Sequence, residues 1–282
     1  MALKLMYITN KPEIVRIAES VGVDRIFVDM EYIGKNIRQG GMDTVQNHHT
    51  LKDVKLIAEI IEKAELLVRV NPIHAASGNS ISSKDEIDAA IHNGADILML
   101  PYFKTVDEVE TFISFVDGRA KTMPLLETPE AAEAVEDILR LEGLDEIFIG
   151  LNDLSLGYGK KFMFELFSDG TVEELCYKFK RAGIPYGFGG IGRLGTGELP
   201  AEHIIKEHYR LGSTCAILSR SFCDANRIRD FHRIEKTFIN GIQNIRELEA
   251  ECARHMGYFT ENKKIVKQKV EAIVRKRQQE TP

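Results

Sequence analysis

Pro124-Leu125-Leu126-Glu127-Thr128-Pro129-Glu130-Ala131 and Ile147-Phe148-Ile149-Gly150-Leu151-Asn152-Asp153-Leu154 are two apolar runs, each followed by an acidic residue and by turn or helix-starting residues. Each reads as a buried strand that delivers one carboxylate to the edge of a sheet. Between them Ala131, Ala134, Val135, Ile138 and Leu139 recur at helical spacing, so a helix over Glu130 to Leu141 joins the strands. Strand, helix, strand units of this kind are parallel and right-handed, which brings both carboxylates out at the same end of the sheet. Two carboxylates at one strand-end face are oxygen ligands for a hard divalent cation, Mg²⁺ first and Mn²⁺ or Co²⁺ as alternatives.

The same alternation extends in both directions. Strands are expected over Leu3 to Ile8, Arg25 to Asp29, Glu65 to Val70, Asp96 to Leu100, Ile184 to Phe188 and Thr214 to Leu218. Helices are expected over Pro12 to Val21, with Asn10 as its cap, and over Leu51 to Ala64. Others are expected over Ser83 to His92, opened by a Ser83-Lys84-Asp85-Glu86 capping box, and over Thr105 to Phe115, Thr171 to Ala182 and Pro200 to Leu211. Eight strand and helix repeats predict an α/β fold closed as a (β/α)8 barrel over residues 1–223, with an open doubly wound sheet as the alternative. Residues 224–282 predict a helical extension, with apolar stripes at Phe231, Ile234, Phe238, Ile239, Ile242 and Ile245 and at Ile265, Val266, Val270, Ile273 and Val274. A stripe reaching past a finished barrel needs a surface to cover it, so a homo-oligomer is expected through this tail.

Three stretches carry no periodicity. Gly34 to Thr50, with Gly40-Gly41 and His48-His49, and Ile73 to Ser83 read as loops. The apolar Ser155 to Gly170, with Phe162, Met163, Phe164, Leu166 and Phe167, reads as a substrate lid or a subunit contact.

The 282 residues are 44% hydrophobic, enough for one large core, and 37 basic against 43 acidic residues give a net charge of −6. That balance argues against nucleic acid or an anionic membrane as partner. Cys176, Cys215, Cys223 and Cys252 are not clustered as zinc ligands and are expected to be free buried thiols. Met1 to Thr9 is short for a signal peptide and no run approaches a membrane span, so a cytoplasmic chain is expected.

If the barrel closes, Glu31, Arg69, Glu127, Asp153, Gly189-Gly190 and Ser219 all stand at strand ends, the face where such barrels carry their sites. Glu127 and Asp153 taken singly are equally well explained as helix caps, although Thr128 and Pro129 already start the helix after Glu127. Arg69 reads either as an ion pair with Asp29 or Glu31 or as a bidentate grip on a substrate carboxylate, and the two are compatible. The Gly189-Gly190 turn offers backbone amides that, with Ser219, could hold a substrate carboxylate or phosphate.

The ordered set Phe27-Val28-Asp29-Met30-Glu31, Val68-Arg69-Val70-Asn71, Asp96-Ile97-Leu98-Met99-Leu100-Pro101, Leu125 to Ala131 and Phe148 to Ser155 resembles the HpcH/HpaI aldolase and citrate lyase family of the phosphoenolpyruvate/pyruvate barrels. That resemblance implies a divalent metal on Glu127 and Asp153 and a pyruvate enolate stabilised by Arg69. It further implies cleavage or formation of a carbon–carbon bond beside a 2-oxo acid, and hexamers with an exchanged C-terminal helix. One position departs from it: where the aldolase branch places a histidine for acid–base work, this chain has Tyr32. With an ordinary pKa near 10, tyrosine is a poor base at neutral pH, and His48 or His49 could replace it. The citrate-lyase-like branch also lacks that histidine and uses acyl-CoA thioesters. The alternatives are therefore thioester chemistry on the same barrel, or a non-catalytic protein that binds metal and 2-oxo acid.

Overall fold

The computed structural model describes residues 2–35, 47–78 and 81–280. Gly40-Gly41, with the rest of 36–46 in the first expected loop, and 79–80 in the second lie outside the described residues. Eight strands close as a barrel in chain order: β1 Lys4–Ile8, β2 Arg25–Asp29, β3 Glu65–Arg69, β4 Ile97–Leu100, β5 Lys121–Leu126, β6 Ile147–Ile149, β7 Tyr186–Ile191 and β8 Cys215–Leu218. Their neighbours run parallel wherever the register is defined. Strands covered on both faces have no polar side to alternate with, which is why they read as unbroken apolar runs.

The chain divides into two compact units. The first, Met6–Phe148, carries α1 Pro12–Ser20, α2 Leu51–Ala58, α3 Ser83–His92, α4 Val106–Val116, α5 Pro129–Glu133 and α6 Val135–Ile138. Four local expectations are corrected here. Lys11 rather than Asn10 takes the N-cap place of α1, and Asn10 Nδ2 donates to Asp53 instead. Helix α2 stops at Ala58 rather than Ala64, because the amides of Glu62, Lys63 and Ala64 donate to the Glu19 carboxylate and no longer need helical partners. Ser82, not Ser83, caps α3 by accepting from Asp85 N–H, and Glu86 turns inward. The single helix expected after β5 is two short ones broken at Ala134.

At the amino ends of β2 and β3 the fully buried Arg25 pairs with Glu65 at 2.9 Å and with Glu146. At their carboxyl ends the same register sets Asp29 beside Arg69.

The second unit, Met1–Leu5 with Ile149–Pro282, carries α7 Leu151–Gly157, α8 Glu165–Ser168, α9 Thr171–Ala182, α10 Ala201–Leu211, α11 Phe231–Arg254 and α12 Phe259–Glu280. The apolar stretch read as a lid or subunit contact is core. Phe162 meets Phe164 edge-on at 5.2 Å, Phe164 stacks on Phe167 at 5.6 Å, and Phe167 meets Phe188 of β7 at 5.5 Å. Helix α12 packs on α8 and α10, burying Val266 and Val270, and the Arg277 guanidinium covers the Phe162 ring at 4.6 Å. Part of the tail's second stripe thus finds a cover within its own unit, while Phe231 and Ile239 of the first stripe stay exposed. All four cysteines are free and buried, and among the described residues no helix is long and apolar enough to cross a membrane.

Candidate active site

The β2–β3 register puts a buried ion cluster at the strand ends of the first unit. Arg69 Nε and one terminal nitrogen donate to the two oxygens of Asp29, each at 2.8 Å, and the other terminal nitrogen lies 3.3 Å from Glu31 Oε2. Lys35 Nζ lies 3.1 Å from Asp29 and 3.3 Å from Glu31. Asn47 Nδ2 donates to Asp29 at 3.0 Å. Asp29, Glu31 and Lys35 are all buried, and burying four charges is tolerable because two carboxylates face two cations.

Burial alone would push the Asp29 carboxyl up; the charge and hydrogen bonds of Arg69, with Lys35, outweigh it and hold the group well below the usual carboxylate range. Burial would likewise weaken the Arg69 cation, but Asp29, then Glu31 and Glu127, keep it more firmly protonated than usual. Both readings of Arg69 as a partner of Asp29 or Glu31 therefore hold. Its fork has five N–H donors, and among the described residues the two terminal nitrogens each retain one beyond these pairs.

Glu127, 5% exposed at the end of β5, is no helix cap: Thr128 caps α5, accepting from Ala131 N–H, while Glu127 Oε1 accepts the Tyr102 amide at 2.9 Å. Tyr102 holds a left-handed φ of 49°, a costly conformation for a non-glycine residue, and so turns its amide to that carboxylate. In the second unit Asp153, 7% exposed, lies in the first turn of α7, whose N-cap is Gly150, and Asn152 Nδ2 donates to its Oδ1.

The other expected site residues fall differently. Tyr32 is 52% exposed, and what holds its segment is its backbone: the amides of Tyr32 and Ile33 both donate to Asn71 Oδ1 at 3.0 Å, and Asn71 is anchored by Glu86. His48 is exposed, whereas His49 takes the inward place, its Nδ1 accepting the Asp29 amide at 3.0 Å. Burial pushes the His49 pKa down in spite of the nearby Asp29. An accepting Nδ1 puts the proton of the neutral ring on Nε2.

Gly189-Gly190 is not a turn. Both lie inside β7, at a bulge against β8. Gly189 has φ +51°, and a Cβ there would sit 2.6 Å from Leu151 Cδ1; one on Gly190 would sit 3.1 Å from Ser219 Cβ. Glycine is demanded by packing. Ser219 Oγ bonds Ile191 O at 3.0 Å and Ser221 Oγ at 2.7 Å.

Sequence reasoning passed over Lys35 and Glu86. Lys35 carried a usable signal, standing four residues after Glu31. Among the described residues no group of three or more His, Cys, Asp or Glu side chains gathers as a metal cluster. Glu127 in the first unit and Asp153 in the second each carry anionic oxygens of the kind a hard cation takes.

The HpcH/HpaI aldolase/citrate lyase family description matches residues 4–165, more than half of the chain. The chain belongs to that family. Among solved structures it is similar to an HpcH/HpaI aldolase from Desulfitobacterium hafniense DCB-2, at 16% identity over 87% of this chain and 93% of that one, with a TM-score of 0.56. A family protein from Burkholderia cenocepacia J2315 gives 15% identity over 80% and 92%, with a TM-score of 0.59. The citrate synthase SbnG gives 16% over 77% and 85%, with a TM-score of 0.57. At these identities the likeness is one of fold. Among curated protein sequences none matches.

Proposed function

We propose that this chain is a divalent-metal-dependent carbon–carbon lyase that works through the enolate of a 2-oxo acid, with Mg²⁺ the first choice of cation. The observation that carries the reading is Arg69, pinned at the end of β3 by the buried Asp29 and sensing the charge of Glu127, in a chain of the aldolase/citrate lyase family. Glu127 and Asp153 would hold the cation, which when bound supplies Lewis-acid polarisation of the ketone.

The remaining steps belong to the chain's own groups. The two further N–H donors of Arg69 bind the oxygen on which negative charge develops, and Asp29 and Glu31 keep the guanidinium from rotating away. Being fixed before the reaction, the fork needs no reorganisation as charge appears. His49, neutral and fixed by the Asp29 amide, presents an Nε2–H as a proton donor. Small 2-oxo acids or acyl-CoA esters are the proposed substrates, and a homo-oligomer in the cytoplasm the proposed setting.

Proton exchange at the methyl group of pyruvate, followed by NMR with and without Mg²⁺, tests the reading: metal-dependent exchange is expected, and its absence at high protein concentration would leave a binding protein. A second reading, thioester cleavage or Claisen-type condensation, is favoured by Tyr32 in the place of the aldolase histidine. Release of acetyl-CoA from acyl-CoA esters, rather than pyruvate from 4-hydroxy-2-oxo acids, would select it.

A further inference from the structure

Outside these residues, the second unit holds a groove of about 360 Å³ lined by the loop after β7 and by one face of α11. Arg193 and Thr196 come from the loop; Arg233, Lys236, Asn240 and Asn244 come from the helix. The helical spacing is one stripe along α11, set against the opposite stripe of Ile234, Phe238, Ile242 and Ile245 that is buried. Gly241 lets the helix close on the chain after β8, since a Cβ there would meet the Phe222 ring at 2.5 Å.

Three cations face this space and no Asp or Glu lines it. Several other cations of the unit are paired: Arg210 with Glu173 and Glu207, Lys263 with Glu173, Arg246 with Glu249, Arg277 with Glu198. Arg193, Arg233 and Lys236 pair with no carboxylate among the described residues. In a chain of net charge −6, three uncompensated cations around one concavity, with hydroxyl and amide donors between them, make an anion site. The place is apt as well, because barrels of this class commonly bind phosphate in the loops after their seventh and eighth strands. Gly192, at the mouth of that loop, has no room for a side chain: a Cβ would lie 2.7 Å from Ser221 Oγ.

We propose that this groove binds a phosphate ester, the distal group of a phosphorylated substrate. Its assignment to the substrate rests on the lyase reading; the binding of phosphate esters does not. Two sources share that chemistry, a phosphorylated acceptor aldehyde and the nucleotide end of a coenzyme A ester.

Calorimetric titration of the full chain with glycerol 3-phosphate and with adenosine 3′,5′-bisphosphate tests it, beside the variant Arg193→Ala/Arg233→Ala. At least one probe is expected to bind, and the double variant to bind it about tenfold more weakly, equal to about 1.4 kcal/mol. The tighter probe tells which source is meant. Arg233→Lys is expected to keep most of the affinity, which separates loss of charge from loss of fold. Pyruvate exchange should be unchanged in the double variant, and if wild type shows no exchange the lyase reading fails while phosphate binding still stands or falls alone. No binding of either probe below about 10 mM, or equal binding by wild type and double variant, overturns the proposal.

Discussion

Replacing Asp29 by asparagine isolates what the ion cluster contributes. In the wild type the Asp29 carboxylate accepts two bonds from Arg69 and one each from Lys35, Asn47 and the Glu31 amide, with no exposure to water. Asparagine keeps one acceptor oxygen and turns an NH2 group toward the guanidinium and the ammonium. Arg69 and Lys35 are then left against Glu31 alone, an uncompensated buried charge, and breaking a buried pair in this way costs about 3–5 kcal/mol. That is a large part of the roughly 5–15 kcal/mol that separates folded from unfolded chains.

The chain has no tryptophan, so the assay is urea unfolding followed by far-ultraviolet circular dichroism. The pH sign follows from the carboxyl being depressed in the fold: its contribution is complete above the unfolded value of 3.8 and is lost as pH falls through the lower folded value. The difference between variant and wild type should therefore hold steady from neutral pH down to about 5 and shrink only below about 4. Exchange at the pyruvate methyl should fall with it, since Arg69 is no longer held. A stability loss under about 1 kcal/mol at neutral pH, the ordinary range of point mutants, would refute the reasoning.

Glu127→Gln and Asp153→Asn should each abolish Mg²⁺-dependent exchange while leaving the circular dichroism spectrum unchanged; retained exchange in both would remove the metal assignment. His208, buried against the Phe188 ring at 3.9 Å with its Nε2 unpartnered among the described residues, has its pKa pushed down to about 3 by burial. Its neutral form supports stability fully above the unfolded value of 6.5 and progressively less as pH falls toward 3, so His208→Gln should flatten the acid limb by about 1.4 kcal/mol per pH unit. Arg25→Ala should cost about 3–5 kcal/mol by stranding the buried Glu146, Glu65 keeping its pair with Lys121, yet leave exchange per folded molecule unchanged, because Arg25 sits at the opposite end of β2 from Asp29. Gly189→Ala should cost about 1–3 kcal/mol through overpacking against Leu151, read as a fall in melting temperature.

The sequence by itself determined the order of strands and helices and the residue types at the strand ends, because a strand buried on both faces must be an apolar run and its polar residues are pushed to its tips. Arg25 to Asp29 came out to the residue, and Thr128-Pro129 already marked Glu127 as surplus to capping. What only the tertiary structure decided is which of those residues meet. Glu19 ends α2 from 43 residues away, Lys35 joins Arg69 against Asp29 and Glu31, and His49 rather than His48 turns inward. The Gly189-Gly190 pair serves close packing and a bulge, and Val266 and Val270 of the tail are buried on the side that packs on α8 and α10. These are long-range pairings, set by strand register and by electrostatic balance in a space without water, and periodicity along the chain carries no record of them.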